Sequence, residues 1–174
     1  VDSSVTRYKA AHGPSQSYPL LLALQAALQA IINEGDDEVI ARHGASGYAL
    51  RSGVRAMGLR VLADEENAAA CSTCIVMPGD SFPTQQYMKT VWHEHGIATA
   101  GGSERPDEHG YTGSRVGLMG VAATLDSVRS LLVAMEEALA RFGVEVESAV
   151  AVAAPAAAYQ AAIDGDRAPP AGFA

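Results

Sequence analysis

The sequence predicts an α+β fold: a small, mainly antiparallel sheet packed with helices. Three observations support this. Apolar residues recur at helical spacing over long stretches near both ends of the chain. Short runs of β-type residues lie between those stretches. The candidate elements then follow in the order ααββαββα. At 174 residues, 48% hydrophobic and 18% charged, the chain has the composition of one globular domain, able to bury roughly 70% of its unfolded surface.

Residues 1–16 read as an irregular arm containing "RYKAAHGPSQS". Ser17 fits an N-cap, and Pro19 is tolerated in a first helical turn. Leu20, Leu21, Leu24, Ala27, Leu28, Ile31 and Ile32 keep helical spacing until Gly35 stops the run. Asp36 restarts a helix in which Ile40, His43, Gly47, Leu50, Val54 and Met57 alternate by three and four, and Gly58 closes it. Inside that helix Gly44, Gly47 and Gly53 each cost about 1 kcal/mol against alanine, which predicts close packing of its backbone against a neighbour. Strands are expected at 59–62, 72–76, 97–100 and 115–118, with a helix over 83–95 ended by Gly96. Thr124, with Ser127 three residues on, marks the N-cap of a last helix. Its stripe is Leu125, Val128, Leu131, Leu132, Met135, Leu139 and Phe142. The domain so defined covers 17–143. The alanine- and proline-rich tail, 144–174, is expected to be disordered or laid over a partner.

A net charge of −8 argues against a nucleic-acid surface, which needs clustered cations. Lys9 and Lys89 are the only lysines, so a basic membrane-binding face is not expected either. The apolar run of residues 19–24 is far short of the ~20 residues that span a bilayer. A cytoplasmic location is expected, and a start at Val1 rather than methionine suggests residues upstream. Cys71 and Cys74 form "CSTC", but "CSTCIVMP" reads as a strand ending at Pro78 rather than a helix start, and no second C-x-x-C exists to complete a zinc site. Two reduced cysteines in a strand are the simpler reading. His93, His95 and His109 show no ligand spacing and read as surface residues.

"TGSRVGLMGVAAT", residues 112–124, sets Arg115 among small and apolar neighbours with no acidic residue close in sequence. A charge in such surroundings needs a partner. From the residues alone that partner is either a distant carboxylate or an external anion, and the plainer alternative is a surface arginine at a strand start.

The succession of an aromatic arm ending "HGPSQSY", two long helices, "MGLRVLA", "STCIVMP", "EHGIATAGG", "SRVGLMGVAAT" and a final helix resembles the C-terminal part of class V aminotransferases. The likeness is to the alanine–glyoxylate and serine–pyruvate group and runs from about Tyr8 to Phe142. It implies the C-terminal domain of an aspartate-aminotransferase-type fold and pyridoxal phosphate as cofactor. The most specific element is R-[IV]-G-x-[LM]-G, matched by Arg115-Val116-Gly117-Leu118-Met119-Gly120. By the resemblance, Arg115 grips the α-carboxylate of the substrate. A guanidinium suits this because its parallel N–H donors match a carboxylate fork. Gly101-Gly102 match the family's glycine pair. The loop "SERPDEHGYTG" that follows is longer and more acidic than usual. The resemblance also assigns Tyr8, and His12 in a position where relatives have threonine, to the cofactor phosphate of a neighbouring subunit.

In that family the lysine that holds the cofactor and the aspartate on its ring nitrogen both lie in a large domain upstream. Neither Lys9 nor Lys89 sits in such a context. The resemblance therefore implies a small-domain subunit or segment of an aminotransferase, active only with a large-domain chain, in a dimer of such pairs, on amino-acid and 2-oxo-acid substrates. Two alternatives stand beside it. One is a lyase or desulfurase of the same superfamily, although a desulfurase needs a mobile loop cysteine. The other is a non-catalytic interaction subunit.

Overall fold

The structure, a computed structural model, describes residues 17–79, 81–101 and 113–165. They form two compact units that divide at Val39–Ile40. The first contains α1 (Tyr18–Glu34) and the opening turn of α2 (Asp36–Ala56). Pro19 lies in the first turn of α1 as expected, but the Ser17 hydroxyl makes no capping bond. Gly35 ends the helix with φ +97°, a conformation that suits glycine, and its N–H donates to Ile31 O at 2.9 Å. No residue of α1 is buried: Leu20 and Ile32 are each 70% exposed. Asp36, Asp37 and Glu38 open α2, where carboxylates complement the helix dipole.

The second unit is built on a four-stranded antiparallel sheet. Its strands are β1 (Arg60–Val61), β2 (Ser72–Val76), β3 (Ala100–Gly101) and β4 (Gly113–Gly117), in the order β1-β2-β4-β3. Burial alternates along the two central strands, as side-chain period two requires. Thr73, Ile75, Ser114 and Val116 are buried; Cys74, Arg115 and Gly117 point the other way and are partly or fully exposed. The buried face joins one core with α2, α3 (Thr84–His95) and α4 (Leu125–Arg141), through Leu50, Val54, Tyr87, Val91, Leu132 and Leu139. Phe82, Tyr87 and Phe142 pack edge to face with centroids 5.7–6.5 Å apart, and burial pushes the Tyr87 phenol up.

Gly47 and Gly53 of α2 do mark close approach. A Cβ on Gly47 would stand 2.3 Å from the Ala70 carbonyl oxygen, and one on Gly53 would stand 2.4 Å from Leu132 Cδ1. Thr124 caps α4, its hydroxyl accepting from Ser127 N at 3.1 Å.

Three expectations are corrected. The third strand is not 97–100 but only Ala100–Gly101, where Gly101 takes φ +87°. The fourth begins two residues early, at Gly113, so Arg115 stands at its centre rather than its start. The alanine- and proline-rich tail, expected to be disordered or laid over a partner, instead forms a helix, α5, over Ser148–Ile163, packed on α4. Its Pro155 is fully buried, with Cγ within 2.9 Å of where a Gly53 Cβ would be.

Candidate functional site

Arg115 is exposed on the sheet face opposite the core. It is paired on both sides, opposite Cys74 of β2 and opposite Ala100 of β3. Its backbone is therefore held by two ladders while its side chain is left to solvent. Among the described residues no carboxylate or other partner meets the guanidinium. Gly101 runs close beside it: a Cβ there would lie 3.8 Å from Arg115 Cβ. Gly101 thus places no side chain of its own beside the cation.

The chain leaves β4 through a short 3-10 turn, Gly120–Ala122. Leu118 continues the pairing, its N–H donating to Cys71 O at 2.9 Å. Met119 is extended and 62% exposed, and its methyl comes within 3.2 Å of where a Gly117 Cβ would be. Met119 thus lies over Gly117, which shares the sheet face of Arg115. Two adjacent side chains of α2 hold this turn. Arg42 Nη1 donates to Gly120 O at 2.8 Å and to Ala123 O at 2.9 Å, while His43 Nε2 accepts from Gly120 N at 3.1 Å. Nothing in the sequence pointed to this pair, which lies 77 residues or more from its targets.

A second polar cluster also escaped the sequence reading. Arg51 of α2, only 6% exposed at its side chain, grips Glu65 through Nε at 2.9 and 3.0 Å and through Nη2, and donates to Ala69 O at 3.1 Å. Arg55 adds a bond to the same carboxylate at 2.7 Å. Burial pulls the Glu65 carboxyl up, but the bonds from Arg51 and then Arg55 outweigh it and hold it below its usual range. Burial, and next the Glu65 charge, raise the phenol of Tyr48 beside them. Tyr48, Arg51, Glu65 and Glu66 border a cleft of about 380 Å³. With both arginines already bound to Glu65, this cluster reads as structural: it ties the 3-10 turn Glu65–Asn67 to α2.

Tyr8, His12, Lys9 and His109 lie outside the described residues. Cys71 and Cys74 are free thiols just before and within β2. Lys89 is exposed on α3, which packs over the covered face of the sheet, the face opposite Arg115. The described residues thus offer no lysine that could hold a carbonyl cofactor near Arg115. No group of three His, Cys, Asp or Glu side chains able to hold a metal is found among them. No helix among the described residues is long and apolar enough to cross a membrane.

No family model matches the chain. Individual proteins do. It is 27% identical over 148 residues to an (S)-ureidoglycine–glyoxylate transaminase of Bacillus subtilis, covering 84% of this chain and 34% of that protein. It is 33% identical over 100 residues to a pyridoxamine–pyruvate transaminase of Mesorhizobium japonicum, covering 58% of this chain and 25% of that protein. The crystal structure of a ureidoglycine–glyoxylate aminotransferase from Bacillus subtilis superposes with a TM-score of 0.75 at 24% identity, over 84% of this chain and 37% of that one. The chain therefore spans about a third or less of the curated relatives it matches.

Proposed function

Since the chain's relatives and structural neighbours are class V pyridoxal-phosphate aminotransferases, matched over a part that fits their C-terminal domain, we propose that it is the small-domain subunit or segment of such an enzyme and supplies its carboxylate-binding arginine. Joined to a large domain that carries the cofactor lysine, it would take part in moving an amino group between an amino acid and a 2-oxo acid. One observation supports this most: Arg115 sits inside R-V-G-L-M-G, exposed and without a partner among the described residues, on a central strand whose backbone is held on both sides.

The guanidinium would bind the substrate carboxylate through two parallel N–H bonds and so orient Cα, while the glycine-rich strand lets the substrate approach. Pyridoxal phosphate, when bound, supplies the electron sink for bond cleavage at Cα. The described residues do not fit it on their own, since Lys89 faces away. The cofactor therefore belongs to the large-domain partner, with Tyr8 and His12 of the arm reaching its phosphate across a dimer of such pairs, in the cytoplasm. Cys74 lies in β2 and not in a loop, which weighs against it as a desulfurase cysteine, whereas Cys71 is exposed just before the strand and not in it as the sequence had implied.

The test is transamination by this chain combined with its large-domain partner. Arg115→Ala should raise KM for amino and oxo acids and lower kcat/KM tens to thousands of fold, or about 2–5 kcal/mol, while leaving cofactor absorbance unchanged. Arg115→Lys should recover only part, because a point charge cannot form the fork. Unaltered kinetics in Arg115→Ala would remove the assignment.

A further inference from the structure

Gly120 is the first residue of the turn that follows the Arg115 strand, and α2 holds both of its backbone polar groups. Its N–H goes to His43 and its C=O to Arg42. The same Arg42 nitrogen also bonds Ala123 O, the last carbonyl before the N-cap Thr124. One guanidinium therefore spans the 3-10 turn from entry to exit. Gly120 has φ +56°, a conformation that glycine adopts without steric cost. The turn's exposed surface carries Val121, 95% exposed, and Met119. Buried Ala123 does not need a charged side chain to hold it, and two side chains spent on an exposed turn suggest that the turn's position matters.

We propose that Arg42 and His43 are positioning residues for the carboxylate site. They fix Gly120, and with it Met119 over Gly117, so that the surface beside the Arg115 guanidinium is set before substrate arrives. This rests on the reading of Arg115 as the carboxylate-binding residue and adds to it the pair that keeps that site in shape. His43 acts as an acceptor at Nε2, so it carries its proton on Nδ1. Arg42 meets the turn through two backbone carbonyls, those of Gly120 and Ala123. A site held in place before binding loses less entropy when the ligand arrives, which is the physical gain of such a clamp.

The test uses the full 174-residue chain labelled with nitrogen-15 and pyruvate as the carboxylate probe, read at the Arg115 Nε–Hε resonance. Wild type should shift saturably, and Arg115→Ala should remove that resonance and leave no saturable shift elsewhere on the sheet. His43→Ala should weaken pyruvate about three- to tenfold, and Arg42→Ala at least as much. Both should speed amide exchange at Gly120 while core resonances such as Val128 stay in place. His43→Gln, whose amide oxygen accepts, should recover most of the affinity. His43→Gln and Arg42→Lys also serve as milder variants should either alanine form fail to fold. If wild type binds and the clamp variants bind equally tightly, the positioning role is overturned while the Arg115 assignment stands. If wild type shows no saturable shift either alone or joined to its large-domain partner, the carboxylate reading falls and takes this inference with it.

Discussion

Replacing Glu65 by glutamine removes the one carboxylate that answers two arginines. Arg51 is 6% exposed at its side chain and Glu65 25%, so the change leaves a nearly buried guanidinium with the Ala69 carbonyl and a neutral amide as its acceptors. Breaking a fully buried pair costs about 3–5 kcal/mol. Here a quarter of the carboxylate is already wet and glutamine still accepts one bond, which brings the expected loss to about 2–3 kcal/mol. For a chain of this size that is a drop in Tm of about 4–12 °C. The pH dependence has a definite sign. The Glu65 carboxyl titrates lower in the folded than in the unfolded chain. Its stabilisation is therefore complete above the unfolded value of about 4.3 and is lost as pH falls through the folded one. Urea unfolding of wild type and Glu65→Gln at pH 7 should show the full gap, and the gap should close progressively below about pH 4. A gap under about 0.5 kcal/mol at pH 7, the size of an ordinary surface substitution, would refute the cluster as a structural tie. So would a gap that stays constant into acid.

Gly47→Ala should destabilise more than Gly53→Ala. The new methyl meets the Ala70 backbone carbonyl oxygen at 2.3 Å in the first case, and in the second the buried side chains of Leu132 at 2.4 Å and Pro155 at 2.9 Å, which can shift further than a backbone carbonyl, with the same gain of about 1 kcal/mol in helix propensity for both; paired thermal melts would show it, and a larger loss for Gly53→Ala would count against the ranking. Thr124→Ala should cost about 1 kcal/mol by removal of the cap on Ser127 N, and Thr124→Ser should restore most of it in the same melts. Tyr8→Phe should raise the cofactor Kd in the assembled enzyme by one bond to a charged group, about 1.5–3 kcal/mol, without changing Tm; an unaltered Kd leaves Arg115 as the chain's contribution to the site.

The parts legible in the sequence were those written in local pattern. Ser72–Val76 emerged with the expected ends because Thr73, Ile75 and Val76 are strand-favouring residues followed closely by Pro78 and Gly79. Thr124 and its stripe marked α4 because a cap and a single apolar face coincide there. Glycines in α2 revealed a neighbour without saying which one. The short strands were harder: Ala100–Gly101 pairs by virtue of β4 beside it, not through any propensity of its own. Helix α5 was missed because alanine surrounds it on every side, leaving no stripe, and because Pro155 reads as a breaker although its ring fills a core position. The polar ties were invisible for a different reason. Arg51 and Glu65 are 14 residues apart, and Arg42 and Gly120 are 78 apart. No periodicity marks which carbonyl or carboxylate a long cation will find. Arg115 was legible through its motif, but its place at mid-strand on an open face came from the ladders.

The antiparallel ladders also decide where this chain tolerates changes of length. Side chains alternate across a strand, so Arg115 faces outward only while it stays in step with Cys74 and Ala100. Insertion or loss of one residue within Gly113–Gly117 would turn the guanidinium toward Ile75 and the core and carry Val116 or Ser114 out into water. The count of residues in 102–112 does not enter that parity, because the phase of β4 is set by its neighbours and not by the chain that leads into it. The stretch 102–112 can therefore grow or shrink in length without displacing the guanidinium. A few residues further on, the same change would bury it.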